Sequence, residues 1–184
     1  PLISGCTTIL YEGKPIKTPD AGAFWRVCSE HKVSALFTAP TAFRAVCKED
    51  PDAELLGQYD LSNLKRLYLA GERLDPATYH WLKEKTQLPV IDHWLQTETG
   101  WAIAGIPIGI EGLATKAGAA GVPTPGYQVE ILDNKGGKLE SNEEGIIAIK
   151  LPLPPGCLQT IWQNPGRFRD GYLATYPGYY LTGD

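Results

Sequence analysis

Residues 92–100 read Asp92-His93-Trp94-Leu95-Gln96-Thr97-Glu98-Thr99-Gly100, directly after the apolar run Leu88-Pro89-Val90-Ile91. The apolar run predicts a buried strand. The nine residues behind it hold two acids, two threonine hydroxyls, an amide and a glycine. A loop of that content at the carboxyl end of a strand is where open α/β sheets receive ligands. It is too polar for core and too particular in composition for a plain connector.

Upstream, residues 7–12 (TTILYE) read as a strand that Gly13-Lys14-Pro15 ends. Asp20 is placed to cap a helix over residues 21–31, with Phe24, Trp25, Val27 and Cys28 on one face. Residues 33–37 form a β-type run. Pro40 then suits the first turn of a helix that reaches about Asp50, and residues 51–62 read as a loop with one helical turn. Residues 64–70 are a third strand. Asp75-Pro76, a cap followed by an N1 proline, opens a helix to about Lys85. Residues 88–91 make a fourth strand. This alternation predicts an α/β fold: a parallel sheet layer with flanking helices.

Past Gly100 the helical period disappears, and glycine and proline crowd residues 105–126. Residues 127–133 (YQVEILD) alternate with period two, Asn134-Lys135-Gly136-Gly137 offers a turn, and residues 145–151 return as a strand. A smaller antiparallel β subdomain therefore follows the parallel layer. The expected division is residues 1–115, a partial nucleotide-binding subdomain, and residues 116–184, a β-rich subdomain.

Composition narrows the functional classes. Of 184 residues, 43% are apolar and 21% charged, with a formal net charge of −4, so no basic footprint points to nucleic acid. No apolar run approaches the roughly 18 residues of a membrane span, and no signal peptide is visible at the start. The four cysteines, at 6, 28, 47 and 157, lack CxxC spacing and read as buried free thiols of a cytosolic-type protein. The chain has no methionine, starts at Pro1 and stops at Leu181-Thr182-Gly183-Asp184, so the expectation is an internal piece of a longer protein.

Individual motifs leave alternatives open. Thr97-Glu98-Thr99-Gly100 supplies hydroxyls, backbone amides and a carboxylate for phosphate oxygens and Mg²⁺, yet also describes a polar turn with Glu98 solvated. Gly71-Glu72-Arg73 allows close approach of a flat ligand, yet also describes a strand-to-helix turn. Asp184 suits a ribose diol, because a carboxylate accepts two hydroxyls at once. His31 falls at a helix end and His80 on a surface helix, which leaves His93 alone near the motif. No serine has an elbow context and no His/Cys set has ligand spacing.

Taken together and in order, Ala70-Gly71-Glu72, DHWLQTETG and Tyr180-Leu181-Thr182-Gly183-Asp184 resemble the adenylate-forming superfamily. Within it the chain is similar to the short-chain acetyl- and propionyl-CoA synthetases. Tyr11-Glu12-Gly13-Lys14-Pro15, Phe37-Thr38-Ala39-Pro40-Thr41, residues 150–156 (KLPLPPG) and Pro177-Gly178-Tyr179-Tyr180 favour the propionyl branch. The resemblance covers the whole chain and implies an AMP-forming acid–thiol ligase. A carboxylate attacks the α-phosphorus of ATP, and coenzyme A then displaces AMP. ATP/AMP, Mg²⁺, coenzyme A and a small-molecule carboxylate are the implied ligands, with neither nucleic acid nor membrane as partner. Some eukaryotic relatives of this branch are mitochondrial.

The resemblance also implies roles. Gly71, Glu72 and Arg73 line the adenine, with Asp92, His93 and Trp94 on its other side. Gln96 belongs to the nucleotide site, Thr97 meets the α-phosphate, Glu98 the Mg²⁺ and Asp184 the ribose. Ala70 and Leu95 shape the acyl pocket. Arg73 stands where acetyl-type enzymes carry proline, and Leu95 replaces the second tryptophan of their WWQTETG. Ala70 is likewise smaller than the valine of acetyl enzymes. A methylene in an apolar pocket is worth about 1–3 kcal/mol of discrimination, so the expected acid is propionate, butyrate or a small branched acid. Acetate–CoA ligation and a non-catalytic nucleotide-binding remnant are the alternatives. The family's phosphate loop and lysine-bearing C-terminal domain have no counterpart in the 184 residues, so the chain alone is expected to be inactive.

Overall fold

Proline, aspartate and one aromatic stack set the helical part of the fold. A computed structural model describes residues 2–110 and 112–184. Its contacts divide the chain into one unit of Pro1–Leu69 and Leu74–Val90 and another of Ala70–Arg73 and Ile91–Asp184.

In the first unit, helix α1 (Ala23–Glu30) buries Ala23, Phe24, Trp25 and Cys28. Asp20 is not its cap residue. Its Oδ1 accepts from the Gly22 backbone N–H at 2.8 Å, and Gly22 occupies the cap position. The carboxylate thus closes a turn just ahead of the helix. Strand β1 (Ala35–Thr38) leads into helix α2 (Pro40–Glu49), where Pro40 takes the first turn as its fixed φ favours. Phe43 of α2 is fully buried, stacked on Trp25 at 5.5 Å and edge-on to Phe24 at 5.8 Å. Buried Asp50 then accepts from the Glu54 and Leu55 backbone N–H groups, both at 2.9 Å, which fixes the loop after α2.

Strand β2 (Arg66–Leu69) runs parallel to β1, with Ala35 opposite Arg66 and Thr38 opposite Leu69. Helix α3 (Pro76–Thr86) starts as the Asp75-Pro76 pair predicts. Asp75 Oδ1 accepts from Thr78 N–H at 2.9 Å, and Gln87 closes the helix in the left-handed region. Strand β3 (Val90–Asp92) completes a sheet of order β1-β2-β3. Leu67 N–H donates to Pro89 O at 3.0 Å at its start.

The α/β layer is as expected in kind but has one strand fewer. Residues 7–12 pair with nothing as a strand among the described residues; residues 7–10 lie exposed and Leu10 is 88% exposed. Alternating side chains supply a strand's faces. Only a partner backbone supplies its ladder.

The second unit is antiparallel. Strands β4 (Trp94–Leu95), β5 (Ala102–Gly105) and β6 (Val122–Pro123) form one sheet in that order. Part of the supposed loop 92–100 is therefore strand. Strands β7 (Val129–Leu132) and β8 (Ile146–Lys150) pair as the sequence suggests. Asp133 Oδ1 shapes the turn between them, accepting from Lys135 and Gly137 N–H at 2.7 and 2.8 Å. Short helix α4 (Pro165–Phe168) precedes strand β9 (Tyr179–Leu181), which adds to β8. The core here is Ile103, Tyr127, Ile149, Cys157 and Tyr180, with Trp94, Leu151, Tyr172 and Leu173 packed against it. No helix among the described residues is long and apolar enough to cross a membrane.

The thiols divide by position. Cys28 and Cys157 are buried and Cys47 is half-buried, all free, whereas Cys6 is exposed, contrary to expectation, because it lies in the exposed stretch 2–10.

Candidate active site

Every residue that the sequence singles out for ligand contact belongs to the second unit. Its centre is a short, tightly tied turn. Gln96 stands before a single 3-10 turn, Thr97–Thr99, and the two ends of that turn cap one another. Thr99 is 2% exposed. Its hydroxyl accepts from Gln96 N–H at 3.2 Å and sits 2.9 Å from both the Gln96 and Trp101 carbonyl oxygens. Tyr127, also buried, donates to Thr99 O at 3.1 Å. Gly100 ends the turn at φ +63°, where a Cβ would lie 2.8 Å from Gly156 O. Only glycine fits both the backbone angle and the approach.

Holding Thr99 inside leaves Thr97 outside. Thr97 is exposed, and its hydroxyl makes no hydrogen bond among the described residues. Glu98 is half-buried and held twice: Leu158 N–H donates to its carbonyl at 2.6 Å, and Tyr172 Oη–H donates to its Oε1 at 3.1 Å. Burial foremost, and then the neighbouring Glu98 carboxylate, push the Tyr172 and Tyr180 hydroxyls above the ordinary tyrosine range. Both are therefore neutral donors across working pH.

Gln96 reaches to the other end of the unit. Its Nε2 donates to Thr182 O and to Asp184 Oδ2, each at 2.8 Å, while Tyr180 Oη lies 3.4 Å from its Oε1. Thr182 Oγ1 accepts from Asp184 N–H at 3.2 Å and donates to Ile147 O at 2.6 Å, which ties the residues after β9 to β8. Asp184 itself is exposed.

The remaining sequence candidates are placed as follows. Asp92 ends β3 and is 8% exposed, His93 is half-buried, and Trp94 packs against the core cluster. Leu95, half-buried in β4, pairs with Ala102 across a register shift that falls between Trp94 and Leu95. Such a bulge re-aims a side chain. Ala70 is 6% exposed. Gly71, at φ +99°, has Glu72 and Arg73 exposed beside it, and Arg73 Nε donates to Gly118 O at 3.3 Å. The structure brings Gln96 and Asp184 into direct contact and leaves Thr97 open to solvent close by in the chain.

The local signal of this turn is the three-residue spacing of Gln96 and Thr99, which cap one another. No local signal marks Tyr172, which stands 74 positions from Glu98. No group of three or more His, Cys, Asp or Glu gathers as a metal cage among the described residues. A Mg²⁺ carried by nucleotide phosphates needs only one or two protein carboxylates. Glu98, with Oε2 free of any hydrogen bond among the described residues, fits that requirement.

The chain belongs to the AMP-binding enzymes: the model of that family, "AMP-binding enzyme", matches residues 1–154. An uncharacterized protein of Pseudomonas aeruginosa is 56% identical over 184 residues, all of this chain and 29% of the relative. The mitochondrial acyl-CoA synthetase short-chain family member 3 of Mus musculus is 51% identical over 185 residues, covering 100% of this chain and 27% of its own length. Propionate–CoA ligase of Escherichia coli is 45% identical over 177 residues, 96% of this chain and 28% of its own. The chain therefore spans under a third of the length of these relatives.

Proposed function

We propose that this chain is part of an AMP-forming short-chain acyl-CoA ligase that activates propionate or a similar small carboxylate. The observation that carries the reading is the Gln96–Asp184 contact beside an outward-facing Thr97 and a tethered Glu98. The names of the mouse and Escherichia coli relatives support it. In this reading Asp184 accepts from the ribose hydroxyls, Thr97 donates to the α-phosphate, and Gly71 to Arg73 face the adenine with Asp92 to Trp94. Mg²⁺, held by Glu98 through the nucleotide, would neutralise phosphate charge as the acid attacks. The protein's own task is then alignment and charge placement rather than proton abstraction. That suits a site built from hydroxyls, an amide and two carboxylates. The acyl chain lies toward Ala70 and Leu95, and coenzyme A is the acceptor of the second half-reaction. Turnover belongs to the longer protein, and the 184 residues alone do not complete it.

The test is acid-dependent exchange of pyrophosphate into ATP by the full-length protein, run with acetate, propionate, butyrate and isobutyrate. Propionate or a longer acid should give the highest kcat/KM. An acetate optimum overturns the chain-length reading, and no stimulation by any of these acids overturns the ligase reading.

A further inference from the structure

Glutamate is a flexible side chain, and Glu98 sits on a turn of only three residues. A carboxylate that must meet a phosphate-bound cation works best when its rotation is already fixed. The fixing element comes from elsewhere in the unit. Tyr172 lies on the irregular turn Arg169–Leu173, after α4. Its ring stacks face to face on Tyr180, 5.3 Å between centroids and 5° between planes, and Tyr180 is 1% exposed. Phe168 adds a second ring contact at 5.8 Å. The phenol is thus aimed by packing, and its hydroxyl donates to Glu98 Oε1 at 3.1 Å.

We propose that Tyr172 is a positioning residue for the nucleotide-bound magnesium: it pins Glu98 Oε1 so that Oε2 faces the cation. The proposal rests on the reading above that Glu98 is the metal-facing carboxylate. Two features make the hydroxyl more than a packing accident. The Glu98 backbone is independently fixed through Leu158, so only the side chain still needs orientation. The donor also touches one carboxylate oxygen and spares the other. Outer partners of this kind orient metal ligands, and their loss typically weakens metal affinity or activity by about 10- to 100-fold.

Tyr172→Phe in the full-length protein keeps the ring and its stack and removes only the hydroxyl. Dissociation constants are measured by calorimetry for Mg·ATP and for AMP without metal. The expected result is about tenfold weaker Mg·ATP binding, with AMP affinity unchanged. In a Glu98→Asp background, whose shorter side chain has already left the hydroxyl, Tyr172→Phe should add no further loss. Equal weakening of both ligands, no weakening of either, additive losses in the double variant, or failure of Tyr172→Phe to fold each overturns the proposal. Failure of the unsubstituted protein to bind AMP is a failure of the functional reading instead, visible before any substitution, and it removes the basis of this one.

Discussion

Gln96 and Asp184, at opposite ends of the second unit's sequence, share a 2.8 Å hydrogen bond from Gln96 Nε2 to Asp184 Oδ2. The same nitrogen holds the Thr182 carbonyl. One amide therefore orients both the backbone and the side chain of the last residues.

Gln96→Glu replaces that donor by an acceptor and sets one carboxylate against another. Affinity for AMP should fall about tenfold, the scale of one lost hydrogen bond to a charged group. With an AMP analogue lacking both ribose hydroxyls, substituted and unsubstituted proteins should bind alike. A loss that persists with the analogue would mean that Gln96 acts on another part of the nucleotide.

Leu95 is the second handle. It is half-buried in β4, just past the register shift, and tryptophan there would add bulk. Leu95→Trp should move the ratio of kcat/KM values for propionate over acetate toward acetate by about tenfold or more, since one methylene is worth about 1–3 kcal/mol. The acyl series described above reads this directly. An unchanged ratio places the acyl chain elsewhere.

The helices were legible because their signals are local. Pro40 and the Asp75-Pro76 pair carry cap, φ restriction and charge within a few residues, and the structure starts α2 and α3 at those prolines. Strands depend on partners. The run at 7–12 has the composition of a strand but no ladder, while β4, β6 and β9 are two or three residues long and gain their identity from neighbours. The candidate site divides the same way. Gln96, Thr97 and Glu98 stand together in one motif, whereas the tyrosine that orients Glu98 enters through a turn far along the chain. No period or spacing links Tyr172 to Glu98; the fold does, with the Tyr172 ring stacked on Tyr180 and its hydroxyl on Glu98 Oε1.

Asp75 provides a test of the first unit by pH. The Thr78 N–H, foremost, holds its carboxyl below the usual value of 3.8, so the folded chain favours the charged form. That stabilisation is present above about pH 4 and is lost as pH falls through the lowered value. Asp75→Ala should cost about 1 kcal/mol near neutral pH through loss of the cap. The gap in unfolding free energy from the unsubstituted chain should close below pH 4. A gap that stays constant into acid would remove the charged cap from the account.

The thiols give a chemical check on burial. Exposed Cys6 should alkylate readily at pH 8. Cys28, 2% exposed and pushed up to about 11 by burial, should resist until the chain is unfolded by denaturant. Mass spectrometry after iodoacetamide treatment distinguishes them. Equal labelling of Cys6 and Cys28 in native buffer would contradict the packing of α1.

The bond between Gln96 and Asp184 also has an entropic meaning, because 88 positions separate its partners. Closing so long a loop carries an entropic cost that local contacts do not. The two ends meet where β9 lies beside β8, itself paired with β7. Helices are built from neighbours; this junction is built from residues far apart in the chain. Ligand affinity therefore probes a junction that helical signal hardly reports, because α1, α2 and α3 all lie in the first unit.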